Sequence, residues 1–433
     1  MGLIIYNLLV ILYKTGIKLV SPWNPKARSW VNGRKPVLND IRSWVSKSNP
    51  GEVVWMHCAS LGEFEQGRPL LEKIRAAYPG CSILLTFFSA SGYEVQKKYK
   101  GADFVCYLPV DTSANARQFV ETVRPSLVLW VKYEYWYHFL HELKQKDVPL
   151  LLISGIFQKH QLFFKWYGHS YRKILKCFSH LFVQDTNSKN LLERIGLSGN
   201  ITVSGDTRFD RVIEIASQFQ PINLIEDFCG AHQVIVAGST WQEDEESLDH
   251  FANTHPEIKF IIAPHQIDQA HLAVIKKLFR FSIFYSEFSK TKISHNDGVA
   301  SSSNKTKPPY NVLVIDNIGM LSRLYRYATI TYVGGGFGTA GLHNVLEAAV
   351  YGKPVVFGPE YGKFVEPGEL IACGGAFSVS NALELEKQLI SLLENSEQNN
   401  IAGRAAMDYV QSRKGATEKI MNYILGNKVL ARG

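Results

Sequence analysis

The sequence predicts an α/β protein built from two doubly wound, parallel-sheet domains, and three observations carry that expectation. The 433 residues exceed what one ordinary hydrophobic core serves and suit two domains of about 200 residues each. Short β-rich runs alternate with helical patterns between residues 50 and 210, and the alternation restarts after Gln218-Phe-Gln-Pro221. Polar turns follow apolar strands in both halves: His57-Cys-Ala-Ser-Leu-Gly-Glu63 in the first, Gly334-Gly-Gly-Phe-Gly-Thr-Ala-Gly-Leu-His-Asn-Val-Leu-Glu347 in the second. In an open α/β sheet such turns lie at the carboxyl ends of the strands, where ligands bind and helix N-termini offer unpaired N–H groups to anions. The expectation is two sheets facing one cleft, with an acid or base on one wall and an activated nucleotide on the other.

The front of the chain is basic and apolar. Residues 1–35 hold Lys14, Lys18, Lys26, Arg28, Arg34 and Lys35 with no Asp or Glu, which places six positive charges there in a chain whose net charge is +8. Leu3 to Tyr13 is an uninterrupted apolar run with no basic residue before it and no small-x-small cleavage site after it, unlike a secretory signal peptide. It falls short of the roughly 20 residues that cross a bilayer, so residues 1–22 read as a retained interfacial helix whose basic flank meets anionic lipid headgroups. A helix packed on the protein's own surface is the alternative.

In the first domain, residues 23–218, the strands read as Val53 to His57, Ser82 to Phe87, Phe104 to Tyr107, Leu127 to Trp130, Pro149 to Ile153, Leu181 to Val183 and Ile201 to Val203. Helical patterns such as Phe64 to Tyr78, Ser113 to Val123 and Thr186 to Ile195 separate them. In the second, residues 219–433, the strands read as Gln233 to Ala237, Lys259 to Ala263, Val312 to Ile315, Thr329 to Val333 and Pro354 to Phe357, and the last helix has the option of packing back on the first domain. Residues 287–311, with Ser301-Ser-Ser-Asn-Lys-Thr-Lys-Pro-Pro309, read as a polar loop. The six cysteines are scattered without a C-x-x-C pair and read as reduced core thiols.

Each candidate site residue has two readings. Ser60-Leu-Gly-Glu63 fits a capping box, in which Glu63 only satisfies a backbone N–H; at the carboxyl edge of the first strand, the same carboxylate is placed to take a proton from a hydroxyl. Glu134, in Trp130-Val-Lys-Tyr-Glu-Tyr-Trp136, is a second carboxylate after a strand, or a first-turn glutamate complementing a helix dipole. Ser239 and Thr240 open the helix after the second domain's first strand and suit a phosphate, although Thr240-x-x-Glu243 is also a capping box. His265 ends the next strand, and Gly336 sits among glycines that let the backbone pass close to a ligand. His343, Asn344 and Glu347 are at helical spacing, so Glu347 is placed to accept ribose hydroxyls, or the three form a structural polar cluster. With no P-loop pattern, no D-x-D and no His/Cys cluster, neither a nucleoside triphosphatase nor a metal requirement is expected.

These residues resemble the 3-deoxy-D-manno-octulosonic acid (Kdo) transferases of lipopolysaccharide assembly. The resemblance covers nearly the whole chain: the N-terminal anchor, His57 to Glu63, Glu134-Tyr-Trp136, Leu181-Phe-Val-Gln-Asp185, Val203-Ser-Gly-Asp-Thr-Arg-Phe-Asp210, Gly238-Ser-Thr240 and Gly341-Leu-His-Asn-Val-Leu-Glu347. It implies a GT-B fold, a CMP-Kdo donor, a lipid A precursor as acceptor, no further cofactor, no nucleic-acid partner, and attachment to the cytoplasmic face of the inner membrane. It also implies that Glu63 is the general base, that Glu134 is a second essential carboxylate, and that Ser239, Thr240, His343, Asn344 and Glu347 hold CMP, with Glu347 on the ribose; His265 and Gly336, from their own positions, are expected beside the same nucleotide. The chain departs from the pattern at Ala263-Pro-His265, where an arginine is missing, and at Ser154-Gly-Ile-Phe-Gln158. Other readings are a glycosyltransferase or epimerase using UDP-sugars, and a membrane-tethered nucleotide-sugar binding protein without catalysis.

Overall fold

The computed structural model describes residues 2–296, 310–339 and 341–430. It divides into two compact units, Met1–Arg211 with Lys414–Gly433, and Val212–Arg413. The division falls inside the helix Thr207–Ser217 rather than at 218/219, and the last residues return to the first unit. Asp210 explains that return: its two carboxylate oxygens accept the N–H groups of Gly415 and Thr417, at 2.6 Å each. They thereby satisfy the start of the helix Ala416–Gly426, whose Ile420, Met421 and Ile424 join a core of the first unit.

The first unit holds a seven-stranded sheet of β1 (Val53–Cys58), β2 (Ser82–Phe87), β3 (Phe104–Tyr107), β4 (Leu127–Val131), β5 (Leu150–Gly155), β6 (His180–Val183) and β7 (Ile201–Val203). Its order is β3-β2-β1-β4-β5-β6-β7, with every pair parallel. All six residues of β1 are buried, because helices cover both faces: Val53 and Trp55 enter one core, Val54, Met56 and Cys58 the other. Such strands read as continuous apolar runs, which is why the sequence announces them. β1 has β2 on one side and β4 on the other, and this reversal of strand order opens a crevice at the strand ends.

The second unit repeats the scheme with β8 (Val234–Thr240), β9 (Lys259–Pro264), β10 (Ser282–Phe284), β11 (Val312–Val314), β12 (Ile330–Val333), β13 (Val355–Phe357) and β14 (Ala376–Ser378). The order is β10-β11-β9-β8-β12-β13-β14, again parallel throughout. Here the reversal lies at β8, between β9 and β12.

Several expectations change. β10 and β14, the two edge strands, carry no apolar run that marks them in the sequence: each is three residues long and one of the three is a serine. Residues 285–296, placed partly in a polar loop, form the helix Tyr285–Asn296; the rest of that loop, 297–309, lies outside the described residues. Between β5 and β6 the chain forms a short 3-10 turn, Leu162–Phe164, and the helix His169–Leu175, with Trp166 91% exposed between them. All six cysteines are free, and five are buried as expected, but Cys373 is exposed.

The N-terminal helix runs Gly2–Val20, longer than its apolar run, and by length and composition it is able to cross a membrane. One face is docked on the first unit. Tyr6 Oη donates to Asp111 at 2.5 Å and accepts the Tyr137 N–H at 3.1 Å, Asn7 pairs with His138 at 2.7 Å, and Val10 is buried. Ile4, Leu8, Leu9, Ile11, Leu12 and Leu19 are exposed.

Candidate functional site

In the first unit, strand register assembles the site. His57 of β1 pairs with Thr86 of β2 on one side and Trp130 of β4 on the other. Its ring is fully buried, with Nδ1 2.9 Å from Thr86 Oγ1 and Nε2 3.3 Å from Glu134 Oε2. Burial lowers the His57 pKa, against the pull of Glu134. Glu134 lies in the turn between β4 and the helix Tyr137–Gln145 and not in its first turn, so the dipole role does not apply. Its Oε2 also accepts the Trp136 indole N–H at 2.8 Å, while its backbone carbonyl accepts that of Trp130.

Glu63 shows the capping geometry: Ser60 Oγ accepts the Glu63 N–H at 3.4 Å, and the Glu63 carboxylate turns back to accept the N–H of Ala59. It is nevertheless not an ordinary surface cap. The residue is only 7% exposed. Burial pushes its pKa up to about 7; the Ala59 N–H opposes the rise, Glu134 adds to it and Lys132 opposes it. A carboxyl that gains and loses its proton near neutrality is suited to general-base work. A Cβ on Gly62, beside it, would meet only Ser60 Oγ, at 4.0 Å.

A polar cluster adjoins these carboxylates. Lys132, with φ 56°, is 8% exposed, and both Lys132 Nζ (2.9 Å) and Arg208 Nε (3.0 Å) donate to the Gln66 amide oxygen when the amide is oriented to receive them. Asp206 pairs with Arg208 at 2.8 Å; burial would raise its pKa, but Arg208 and Lys132 outweigh that and hold it low.

In the second unit the structure brings some candidates together and redirects others. Ser239 takes φ 55° where the β8–β9 register shifts. Both Ser239 and Thr240 belong to the end of β8, and the helix that follows, Gln242–Thr254, is capped at Trp241, one residue later than expected: Asp244, rather than Glu243, accepts the Trp241 N–H at 2.9 Å. Thr240 is fully buried and its hydroxyl donates to Glu245 at 2.8 Å, so that hydroxyl serves the interior. Asp244 also accepts the Gly335 N–H at 2.8 Å and the Tyr332 hydroxyl at 2.7 Å, tying the glycine-rich turn to the helix start. A Cβ on Gly336 would lie 2.6 Å from the Gly358 nitrogen, so this glycine is required by backbone packing within the turn.

His265 and His343 do meet, at 4.5 Å between ring centroids, and Trp241 stacks on His265 at 4.7 Å. The Trp241 indole N–H donates to His343 Nε2 at 3.2 Å. Burial, aided by His265, holds the His343 pKa down to about 4, so the ring is neutral with its proton on Nδ1. His343 and Asn344 precede a short helix, Leu346–Ala349, rather than lying on it. Asn344 accepts the Leu346 N–H at 3.2 Å and donates to Glu347 Oε1 at 3.1 Å, linking the last two of the expected trio. Among the described residues no group of three His, Cys, Asp or Glu side chains is placed to hold a metal ion.

Residues 38–211 match the family described as 3-deoxy-D-manno-octulosonic-acid transferase. This stretch is similar to the Kdo transferase domain. The whole chain is 25% identical over 435 aligned residues to a bifunctional glycosyltransferase/methyltransferase of Fusobacterium nucleatum; that match takes in 98% of the chain and 62% of that protein, so the chain spans less than two thirds of it. It is 27% identical to a 3-deoxy-D-manno-octulosonic acid transferase of Rickettsia prowazekii, over 85% of the chain and 78% of that relative. The Aquifex aeolicus enzyme of the same description is also 27% identical, over 80% and 88%. Among solved structures, UDP-GlcNAc 2-epimerase from Neisseria meningitidis superposes with a TM-score of 0.60 at 16% identity, covering 87% of the chain and 100% of that protein. That likeness is one of fold, the two-domain GT-B architecture.

Around Glu63 and Glu134 in the first unit, reasoning from sequence did not single out Thr86, Gln66, Lys132 or Trp136 for a role, nor Trp241 in the second unit. Asp206 and Arg208 were signalled by the motif Val203 to Asp210. Thr86 carries no local signal; only the β1–β2 register reveals it.

Proposed function

We propose that the protein transfers Kdo from CMP-Kdo to a lipid A precursor, lipid IVA, with inversion at the sugar's anomeric carbon, without a metal, and with Glu63 as general base. The acceptor hydroxyl oxygen forms the new bond to the anomeric carbon as the bond from that carbon to the CMP phosphate oxygen breaks. Glu63 takes the hydroxyl proton, and the phosphate keeps the electron pair. The observation that carries this reading is the buried Glu63 carboxyl poised at about 7, beside Glu134 and restrained by Lys132; relatives described as Kdo transferases support the choice of sugar. Glu134 orients the acceptor by accepting one of its hydroxyls. Ser239, His265 and His343 lie nearest the donor phosphate, Thr240 and Gly336 shape that site from behind, and Asn344 holds Glu347 towards the ribose.

The N-terminal helix lies on the cytoplasmic face of the inner membrane. Tyr6 and Asn7 tie one face to the first unit, and the exposed apolar face, with the basic flank, enters the headgroup region. Holding the enzyme at the surface that contains its lipid acceptor raises their effective concentration.

The test is transfer from CMP-Kdo made in situ to the tetraacylated lipid A precursor, comparing wild type with Glu63→Gln. We expect product from wild type, a loss of at least about a hundredfold in the variant with CMP binding kept, and no effect of a chelator added after donor synthesis. An active Glu63→Gln protein returns Glu63 to capping alone; no transfer by a folded wild type overturns the reaction.

A further inference from the structure

Four side chains, Trp55, Thr86, His57 and Trp136, lead to Glu134 in a chain whose proton directions are fixed by chemistry. The Trp55 indole N–H, which only donates, reaches Thr86 Oγ1 at 2.8 Å. Thr86 Oγ1 has one proton of its own and two neighbours that could receive it: His57 Nδ1 at 2.9 Å and the Met56 carbonyl at 3.5 Å. Were the proton sent to Met56, a neutral His57 would carry its own on Nδ1, and a bare Nε2 would confront the Glu134 carboxylate. Sent along the shorter path to Nδ1, it leaves Nε2 protonated and donating to Glu134 Oε2, and every donor then meets an acceptor. The Trp136 indole N–H donates to the same Oε2 at 2.8 Å. Both donors converge on one oxygen, and among the described residues no hydrogen bond reaches Oε1.

We propose that His57, with the Thr86 hydroxyl behind it, is a positioning relay that pins Oε2 of Glu134 and leaves Oε1 presented to a hydroxyl of the sugar acceptor. The inference rests on the acceptor-side role of Glu134 proposed above. His57 is fully buried, so it acts only through Glu134 and is not itself a catalytic residue. Its ring also packs against Trp130, with centroids 4.3 Å apart, which removes its freedom to swing away from the carboxylate. Two indoles and one imidazole thus do for Glu134 what a single hydrogen bond would not: they fix both its position and which oxygen is offered.

The first arm of the test is independent of activity. In protein labelled with ¹⁵N-histidine, His57 is expected at neutral pH as the neutral Nε2–H tautomer, and Thr86→Val is expected to lose that single tautomer. A proton on Nδ1, or on both nitrogens, overturns the relay. The second arm measures kcat and KM for His57→Phe, Glu134→Gln and the double variant. His57→Phe is expected to lower kcat by roughly tenfold to a hundredfold with little change in KM for the donor, and His57→Gln, which keeps an N–H donor, to recover part of it. The double variant is expected to be no worse than Glu134→Gln, since the relay has no other route; multiplicative losses overturn the proposal. Wild-type transfer with the wrong tautomer sinks the relay and spares the function, whereas the Nε2–H tautomer without Kdo transfer sinks the function.

Discussion

Glu63 is both a helix cap and a buried acid, and the two roles place opposite demands on its proton. As a cap it accepts the Ala59 N–H, which favours the carboxylate; burial favours the neutral acid and lifts its pKa from 4.5 to about 7. The native protein therefore holds more protons than the unfolded chain between those values, and stability falls as pH rises through them. Glu63→Gln, which does not titrate, should match wild type near pH 4 and exceed it above pH 7, by up to on the order of 3 kcal/mol. Urea unfolding of the first unit across that range checks this, and a constant difference at every pH would refute it. The same carboxyl should give kcat/KM an acid limb with an apparent pKa near 7. Of this site, Glu63 and Glu134 were legible because each follows an apolar strand. The partners that set their chemistry were not, since Thr86 reaches His57 beside Glu134 only through the β1–β2 register and Lys132 lies in the turn beyond β4.

Parallel strands buried on both faces announce themselves as apolar runs, and Val53–Cys58 or Leu127–Val131 needed no structure to be found. Ser282–Phe284 and Ala376–Ser378 are three-residue edge strands that each include a serine, so they lack the apolar run that marks Val312–Val314 or Val355–Phe357. The N-terminal helix was legible as apolar and basic, and packing on the protein's own surface as its alternative, but the docking partners were not, because Tyr6 reaches Asp111 across 105 positions of chain. That docking splits the helix into a protein face and a free face, and the two should separate by mutation. Serine at Ile4, Leu8 and Ile11, which are 75%, 55% and 56% exposed, should weaken binding to anionic phospholipid vesicles by roughly a hundredfold or more, leaving the melting temperature unchanged. Tyr6→Phe should instead lower stability by about 1 kcal/mol, since Asp111 keeps the N–H groups of His138 and Phe139. Flotation together with thermal melts distinguishes these outcomes, and unaltered flotation of the triple variant would rule out the membrane role of that face.

The chain crosses between its two units twice, so neither terminus alone completes the first one. Lys414–Gly433 belongs to the unit begun by Met1–Arg211, and the helix Ala416–Gly426 packs on the helix Leu61–Ala77 that opens with Glu63. Ile420, Met421, Ile424 and Leu430 are buried there. At about 1.5–3 kcal/mol for each buried side chain, the four together approach the whole stability margin of a domain, about 5–15 kcal/mol, even after allowing that burial relative to an extended chain is an upper bound. A chain ending at Arg413 should therefore lose the first unit and keep the second. Hydrogen exchange should show the amides of β1–β7 unprotected and those of β8–β14 protected, and CMP binding should survive while transfer is abolished. Asp210→Asn in the full-length chain is the milder counterpart: it weakens the bonds to Gly415 and Thr417, and should lower the first unit's stability by about 1–3 kcal/mol without touching the second. Continued protection of β1–β7 in the shortened chain would mean that the returning helix is an accessory to that core rather than part of it.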